Sequence, residues 1–122
     1  MTSAVISSER LLEIQKLIRQ MPVSDTVVDA ILTLVRSARP GHGNASTDKN
    51  VAWGPGPRAA QALMLASRAR ALVDGRLSPS LDDIAALAAP VLKHRMALTF
   101  PARAEGMTVR DVIASLVSDL RK

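Results

Sequence analysis

Cysteine and tyrosine are both absent from the 122 residues, and the only bulky aromatic side chains are Trp53 and Phe100. Without cysteine there is no disulfide framework and no thiolate chemistry, and a cytoplasmic setting is the expectation. No apolar run approaches the length of a membrane span. The stretch Met1-Thr2-Ser3-Ala4-Val5-Ile6-Ser7 lacks the basic region and the apolar segment of a signal peptide. Catalytic signatures are missing as well. There is no Gly-x-x-x-x-Gly-Lys-Ser/Thr loop to wrap phosphates and no strand ending in acidic residues to hold magnesium. There is no Gly-x-Ser-x-Gly elbow and no His-Glu-x-x-His either. Taken alone, the chain is expected to be catalytically silent. His42 has no Asp, Glu or Cys partners at metal-ligand spacing, so no metal site is expected.

What is present is alanine and leucine. Hydrophobic residues make up 48% of the sequence, which argues for a folded chain, and the length allows one core but not two. The net charge is +5, from 16 Lys+Arg against 11 Asp+Glu. A basic balance can indicate nucleic acid, but only when the charges cluster. Stepped at about 100° per residue, Arg58, Arg68 and Arg70 fall at separate azimuths on their helix. With almost no rings for stacking, the composition argues against a nucleic-acid partner.

Five helical segments can be read in order. Ser7 caps the first, to about residue 20, with Leu11, Ile14, Ile18 and Met21 as its apolar stripe and Ile6 and Leu11 placed as a staple. Pro22 ends it and Ser24 caps the second, whose expected buried face is Val28, Ile31, Leu32 and Val35, to about residue 37. Residues 39–52 lack periodicity and carry Gly, Pro, Asn and Ser, so a mobile surface loop is expected there. The third helix, about 57–74, is apolar or alanine on nearly every side, as in a helix surrounded by others. Ala59, Ala62, Ala66 and Ala69 would let neighbouring backbones approach, and Gly75 would close it in the left-handed conformation. Ser80 and Asp83 are spaced as a capping box for the fourth, which Pro90 should kink or split. Thr108 and Asp111 repeat that pattern for the last. The expectation is an all-α bundle of about five helices in a single domain, 1–122, with Val51-Ala52-Trp53 or Leu98-Thr99-Phe100 extended.

The chain is organised around Trp53-Gly54-Pro55-Gly56-Pro57-Arg58. Gly56 suits a helix N-cap, and Pro57 suits the first helical position, where its missing N–H costs nothing. Arg58 then sits among free backbone N–H groups at the positive end of the helix dipole. A cation is locally unfavourable there unless an anion comes to it. Phosphate is the natural candidate, because helix N-termini and arginine both bind it. The bland alternative is a solvated arginine that merely follows a helix start.

Gly54-Pro55-Gly56-Pro57-Arg58-Ala59-Ala60, then Leu63, Ala66, Ala69, Arg70, Ala71, Leu72 and Gly75-Arg76, resembles the second sensor motif and following helix of MoxR-type AAA+ ATPases. The likeness continues through Leu81-Asp82-Asp83-Ile84 and Leu87-Ala88-Ala89-Pro90-Val91-Leu92-Lys93-His94-Arg95 to Ala104-Glu105-Gly106-Met107-Thr108. Upstream, Met21-Pro22-Val23-Ser24-Asp25 is similar to the start of that family's C-terminal lid. The resemblance covers nearly the whole chain and implies a lid domain from a longer ATPase. It implies that Arg58 is the second sensor arginine, directed at the γ-phosphate of ATP on a core domain of the same or the neighbouring subunit. ATP and Mg2+ would belong to the parent enzyme, with none held by this chain alone. The family pattern Gly-Ala-Ser-Pro-Arg is altered here by Pro55 and Gly56, which removes a side-chain N-cap.

Trp53 could then lie near the adenine or, in the reading favoured by its size, anchor the helix start in the core. His94-Arg95 matches a His-Arg pair of the family. Either it hydrogen-bonds neighbouring helices or it contacts the core domain or adjacent subunit. Arg68, Arg70 and Arg76 read as surface or inter-domain salt-bridge residues. The resemblance further implies a hexameric ring that couples ATP hydrolysis to chaperone-like remodelling or maturation of clients, with a von Willebrand factor A-type partner. Its rival is a basic helical module for protein or nucleic-acid interaction with no nucleotide role.

Overall fold

Most of the helices begin where a short polar side chain can take up a free N–H; α4, which starts at Gly56, does not. The computed structural model describes residues 5–121, so the first four residues of the stretch read as lacking a signal peptide lie outside the described residues. In chain order the elements are α1 (Ser8–Gln20), α2 (Asp25–Ser37), α3 (Ala45–Asn50), β1 (Val51–Trp53) and α4 (Pro57–Val73). Then come α5 (Leu81–Leu92), a 3-10 turn (Lys93–Arg95), β2 (Ala97–Leu98), α6 (Phe100–Ala104) and α7 (Val109–Leu120). Ser7 accepts from the Arg10 N–H and Ser24 from the Val27 N–H. Thr108 and Asp111 form a reciprocal box at the start of α7. These caps match the sequence expectation, as does the all-α class.

The core lies where α2, α4, α5 and α7 meet. Ile31, Leu34, Leu63, Ile84, Leu92 and Ile113 are its largest buried apolar side chains. Fully burying a side chain of this kind is worth about 1.5–3 kcal/mol, so these six dominate the packing energy. α1 packs on α4 from outside and buries none of its residues completely.

Several sequence expectations need correction. The stretch 39–52, expected to be a mobile loop, contains α3 and the start of β1, the latter in keeping with the extended reading of Val51-Ala52-Trp53. Asn44 caps α3 by accepting from the Thr47 N–H, and Thr47 is buried with its hydroxyl donating to the Ser37 carbonyl at 2.6 Å. α6 is the other unforeseen helix, capped by Thr99, with Pro101 in its first turn. The buried face of α2 is Val27, Ala30, Ile31, Leu34 and Val35, which leaves Leu32 exposed. In α4 the buried row is Ala59, Leu63, Ser67 and Ala71, at strict four-residue spacing, and the other alanines are half-buried. α5 is not split at Pro90. It runs two residues further and then tightens into the 3-10 turn.

β1 and β2 form a small antiparallel ribbon with Val51 opposite Leu98 and Trp53 opposite Ala97. The Thr99 N–H extends it by donating to the Asn50 carbonyl at 2.8 Å. The ribbon ties the segment entering α4 to the segment leaving α5.

Candidate functional site

The turn between β1 and α4 is held by backbone contact. A Cβ at Gly54 would collide with the Ala38 carbonyl at the end of α2, so only glycine fits there. Pro55, next in the chain, is almost completely buried. With those two residues pinned, Gly56 takes the N-cap position in an extended conformation and Pro57 opens α4.

Gly56 has no side chain to offer, and no acidic residue lies in the first turn of α4. The N–H groups at this end therefore have no capping side chain. Arg58 is exposed and makes no hydrogen bond or ion pair among the described residues. A free guanidinium beside an uncapped helix start can take an anion by its fork and by backbone N–H groups together. Trp53, 56% exposed, stands outside the core. This corrects the reading of Trp53 as a core anchor: in β1 only Val51 is buried, and Trp53 is largely exposed on a narrow ribbon.

At the other end of α4 the arginines are used differently. The helix closes in a Schellman motif, with the Arg76 N–H bonded to the Ala71 carbonyl, the Gly75 N–H to the Leu72 carbonyl, and Gly75 at φ 76°. That turn aims Arg76 back at Asp83, whose side chain is 0% exposed. Both carboxylate oxygens are satisfied, and the Ser80 hydroxyl adds a longer contact to Oδ2 at 3.4 Å. Oδ1 accepts from Arg70 and Arg76, each at 2.6 Å. Oδ2 accepts from Arg76 at 2.7 Å and from the Ser80 N–H at 2.7 Å.

The Arg76 hydrogen bonds hold the Asp83 carboxyl well below the usual carboxylate range, and burial works against them. The Ser80 N–H and Arg70 add to the lowering. Hydrogen bonds to Asp83 and Asp74 push Arg76 further above its ordinary value. Arg70 and Arg76, expected as surface or inter-domain groups, are thus bonded within the domain. Asp83 caps α5 as expected and also ties it to α4. Arg68 donates to the Arg19 carbonyl, at the end of α1, at 3.3 Å.

His94 and Arg95 lie in the 3-10 turn. Arg95 donates to the Val91 carbonyl of α5 at 2.7 Å and approaches Nε2 of His94 at 3.2 Å. From the 3-10 turn Arg95 thus caps the end of α5, and His94 is exposed. Among the described residues no group of three or more His, Asp or Glu side chains could hold a metal ion, and no helix is long and apolar enough to cross a membrane.

A sequence profile of the AAA lid domain matches residues 44–116, more than half of the chain, and the chain belongs to that family. It is similar to the chaperone MoxR1 of Mycobacterium tuberculosis, 31% identical over 111 residues that cover 89% of this chain and 29% of that protein. It is also similar to the uncharacterized protein YeaC of Bacillus subtilis, 29% identical over 117 residues, covering 96% of this chain and 34% of that one. A crystal structure from Cytophaga hutchinsonii, provisionally described as an ATPase, superposes with a TM-score of 0.88 at 27% identity. That match covers 95% of this chain and 36% of the other. The chain thus spans about a third of the length of the relatives it matches. The likeness to MoxR-type lids read from the motifs is borne out.

Proposed function

We propose that this lid closes over the nucleotide of a MoxR-type AAA+ ATPase core and that Arg58 is its second sensor arginine. The observation that carries the reading is the contrast along α4. Arg70 and Arg76 are paired to a carboxylate inside the domain, whereas Arg58 stands exposed and unpaired at a helix start with no capping side chain. Arg58 would bind the γ-phosphate of ATP, hold charge as it develops during phosphoryl transfer, and report nucleotide state to the lid. Pro57 sets the direction of that first turn, and the exposed ring of Trp53 is free to approach the base. Bound Mg2+ would neutralise phosphate charge. Its ligands would come from the core, since the described residues offer no carboxylate cluster for it.

The core belongs to the same or the neighbouring subunit of a homo-oligomeric ring, taken as a hexamer, in the cytoplasm. Hydrolysis there drives chaperone-like remodelling or maturation of client proteins, with a von Willebrand factor A-type protein as candidate partner. MoxR1 is named a chaperone, which supports this direction. His94, exposed beside the capping Arg95, is assigned to contact with the core or the adjacent subunit. The rival reading, a basic interaction module with no nucleotide role, would cluster its basic residues on one helix face, whereas Arg58, Arg68 and Arg70 are dispersed around α4.

The test is ATP hydrolysis by the assembled ATPase carrying Arg58→Ala, with nucleotide binding and ring assembly measured alongside. Hydrolysis is expected to fall by about 10²–10³-fold while ATP remains bound, the magnitude for one lost charge-stabilising donor. Unchanged turnover would remove Arg58 from the mechanism.

A further inference from the structure

From Pro57, beside Arg58, to Arg68, the surface between α2 and α4 is apolar where solvent should meet polar groups. Leu32 on α2 is 48% exposed and Leu65 on α4 is 44% exposed. Between them runs an open cleft of about 430 Å³, floored by Val28, Ala60 and Met64 and ended by Arg68. A second cleft shares Leu32, Ala60 and Gln61 with the first and continues to Pro57, lined there by Arg36, Arg39 and His42. The two make one trough along the helix pair. No carboxylate lines either part. The side chains of Arg36 and Arg39 make no hydrogen bond or ion pair among the described residues.

An apolar floor between two helices, with unpaired cations along its edge, has the chemistry of a helix-in-groove site. Its floor would take apolar side chains from one face of an incoming helix, and its rim would take carboxylates. We infer that the α2–α4 trough is a docking surface for an acidic amphipathic helix of a partner protein. The charges select this occupant: a basic helix would meet three arginines and no carboxylate, and a neutral one would leave Arg36 and Arg39 unpaired at a closed interface. The inference extends beyond the nucleotide role of Arg58 and does not depend on it.

Two synthetic helical peptides provide the test, sharing one leucine face and differing only in carrying glutamate or lysine along its flanks. Each is titrated into the isotopically labelled chain at low ionic strength and followed by amide chemical shifts. The glutamate peptide should saturate, with shifts confined to residues 28–39 and 57–68, and should bind at least about tenfold more tightly than the lysine peptide. Leu65→Glu, a change at a half-exposed position, should weaken it by about tenfold or more. The pair Arg36→Glu with Arg39→Glu should reverse the preference between peptides.

Failure to saturate, equal binding of both peptides, or indifference to both variants would overturn the assignment. Concentration-dependent self-association abolished by Leu65→Glu would give the trough to a second copy and overturn it too. So would protection of a Gln61→Cys thiol on assembly of the ATPase alone, which would give the trough to the core. None of these outcomes depends on hydrolysis, so a failed Arg58 reading and a failed docking surface are distinguishable.

Discussion

The two ends of α4 carry the same residue type in opposite circumstances. At the C-terminal end Arg70 and Arg76 converge on the buried carboxylate of Asp83, every acceptor position of which is filled from within the domain. At the N-terminal end Arg58 stands beside a glycine N-cap with no acidic residue in the first turn of the helix. Helix electrostatics sharpens the contrast: cations stabilise the C-terminal end of a helix and oppose the N-terminal end. Arg70 and Arg76 therefore serve the fold, while Arg58 gains nothing from it locally. A positive charge retained where the fold gains nothing is a charge available to something outside.

The largest effect that would break this comparison is on stability, at Asp83. Asp83→Ala should destabilise the chain by about 2–3 kcal/mol, the range for hydrogen bonds to charged groups. The value stays below that of a fully buried broken pair because Arg70 and Arg76 are each over a third exposed and can turn to water. Arg58→Ala should change stability by less than about 0.5 kcal/mol, as expected for an unpaired surface side chain. Guanidinium unfolding of both variants decides the matter. Equal losses at the two sites would erase the distinction.

Acid should separate the two ends further. The folded-state carboxyl of Asp83 is held below its ordinary value, so as pH falls the unfolded chain takes up the proton first. The stabilisation from Asp83 is fully present above the unfolded carboxylate value of about 4 and is lost as pH falls below it. The stability gap between the native chain and Asp83→Asn should therefore be largest near neutrality and narrow by about pH 3. A gap independent of pH would mean that the carboxylate charge contributes nothing. Arg58→Ala should show no such dependence.

Gly54→Ala tests whether the Arg58 end is positioned by the backbone. The added Cβ would press on the Ala38 carbonyl, and overpacking of this kind costs about 1–3 kcal/mol. Because Gly54 orients the start of α4, hydrolysis by the assembled ATPase should fall along with stability, although Arg58 itself is intact. Lost stability with full turnover would show that the turn only packs.

Much of this architecture is legible in local sequence. Ser7, Ser24, Ser80 and Thr108 mark helix starts because capping is a matter of three or four residues, and Gly75 marks an end for the same reason. α3 and α6 escape a periodicity argument because six and five residues span less than two turns. Only their caps, Asn44 and Thr99 followed by Pro101, announce them. The face of α2 is ambiguous for another reason. Val27, Val28, Ala30, Ile31, Leu32, Leu34 and Val35 cover a wide apolar arc, and packing against α4 and α7 decides which edge turns inward. The Arg58 motif reads correctly as a helix start because its chemistry is contiguous. The clamp on Asp83 joins residues 7 and 13 positions apart through a tertiary turn, so spacing alone shows only its capping half.

The middle of α4 belongs to neither end and provides the smallest test. Ser67 is completely buried in the row Ala59, Leu63, Ser67, Ala71, and its hydroxyl has no hydrogen-bond partner among the described residues. A hydroxyl in that position costs desolvation and returns no bond, whereas alanine has the same backbone reach and a better helix propensity. Ser67→Ala should therefore raise stability, by up to about 1 kcal/mol, without altering the Asp83 clamp or hydrolysis. Unfolding midpoints with unchanged denaturant dependence give the measurement. A loss of stability would reveal that the hydroxyl does find a partner, a bridging water for instance, and that the centre of α4 holds a polar contact of its own. A gain would leave the buried row of α4 purely apolar in its contacts, with Arg70 and Arg76 spent on the fold and Arg58 left available.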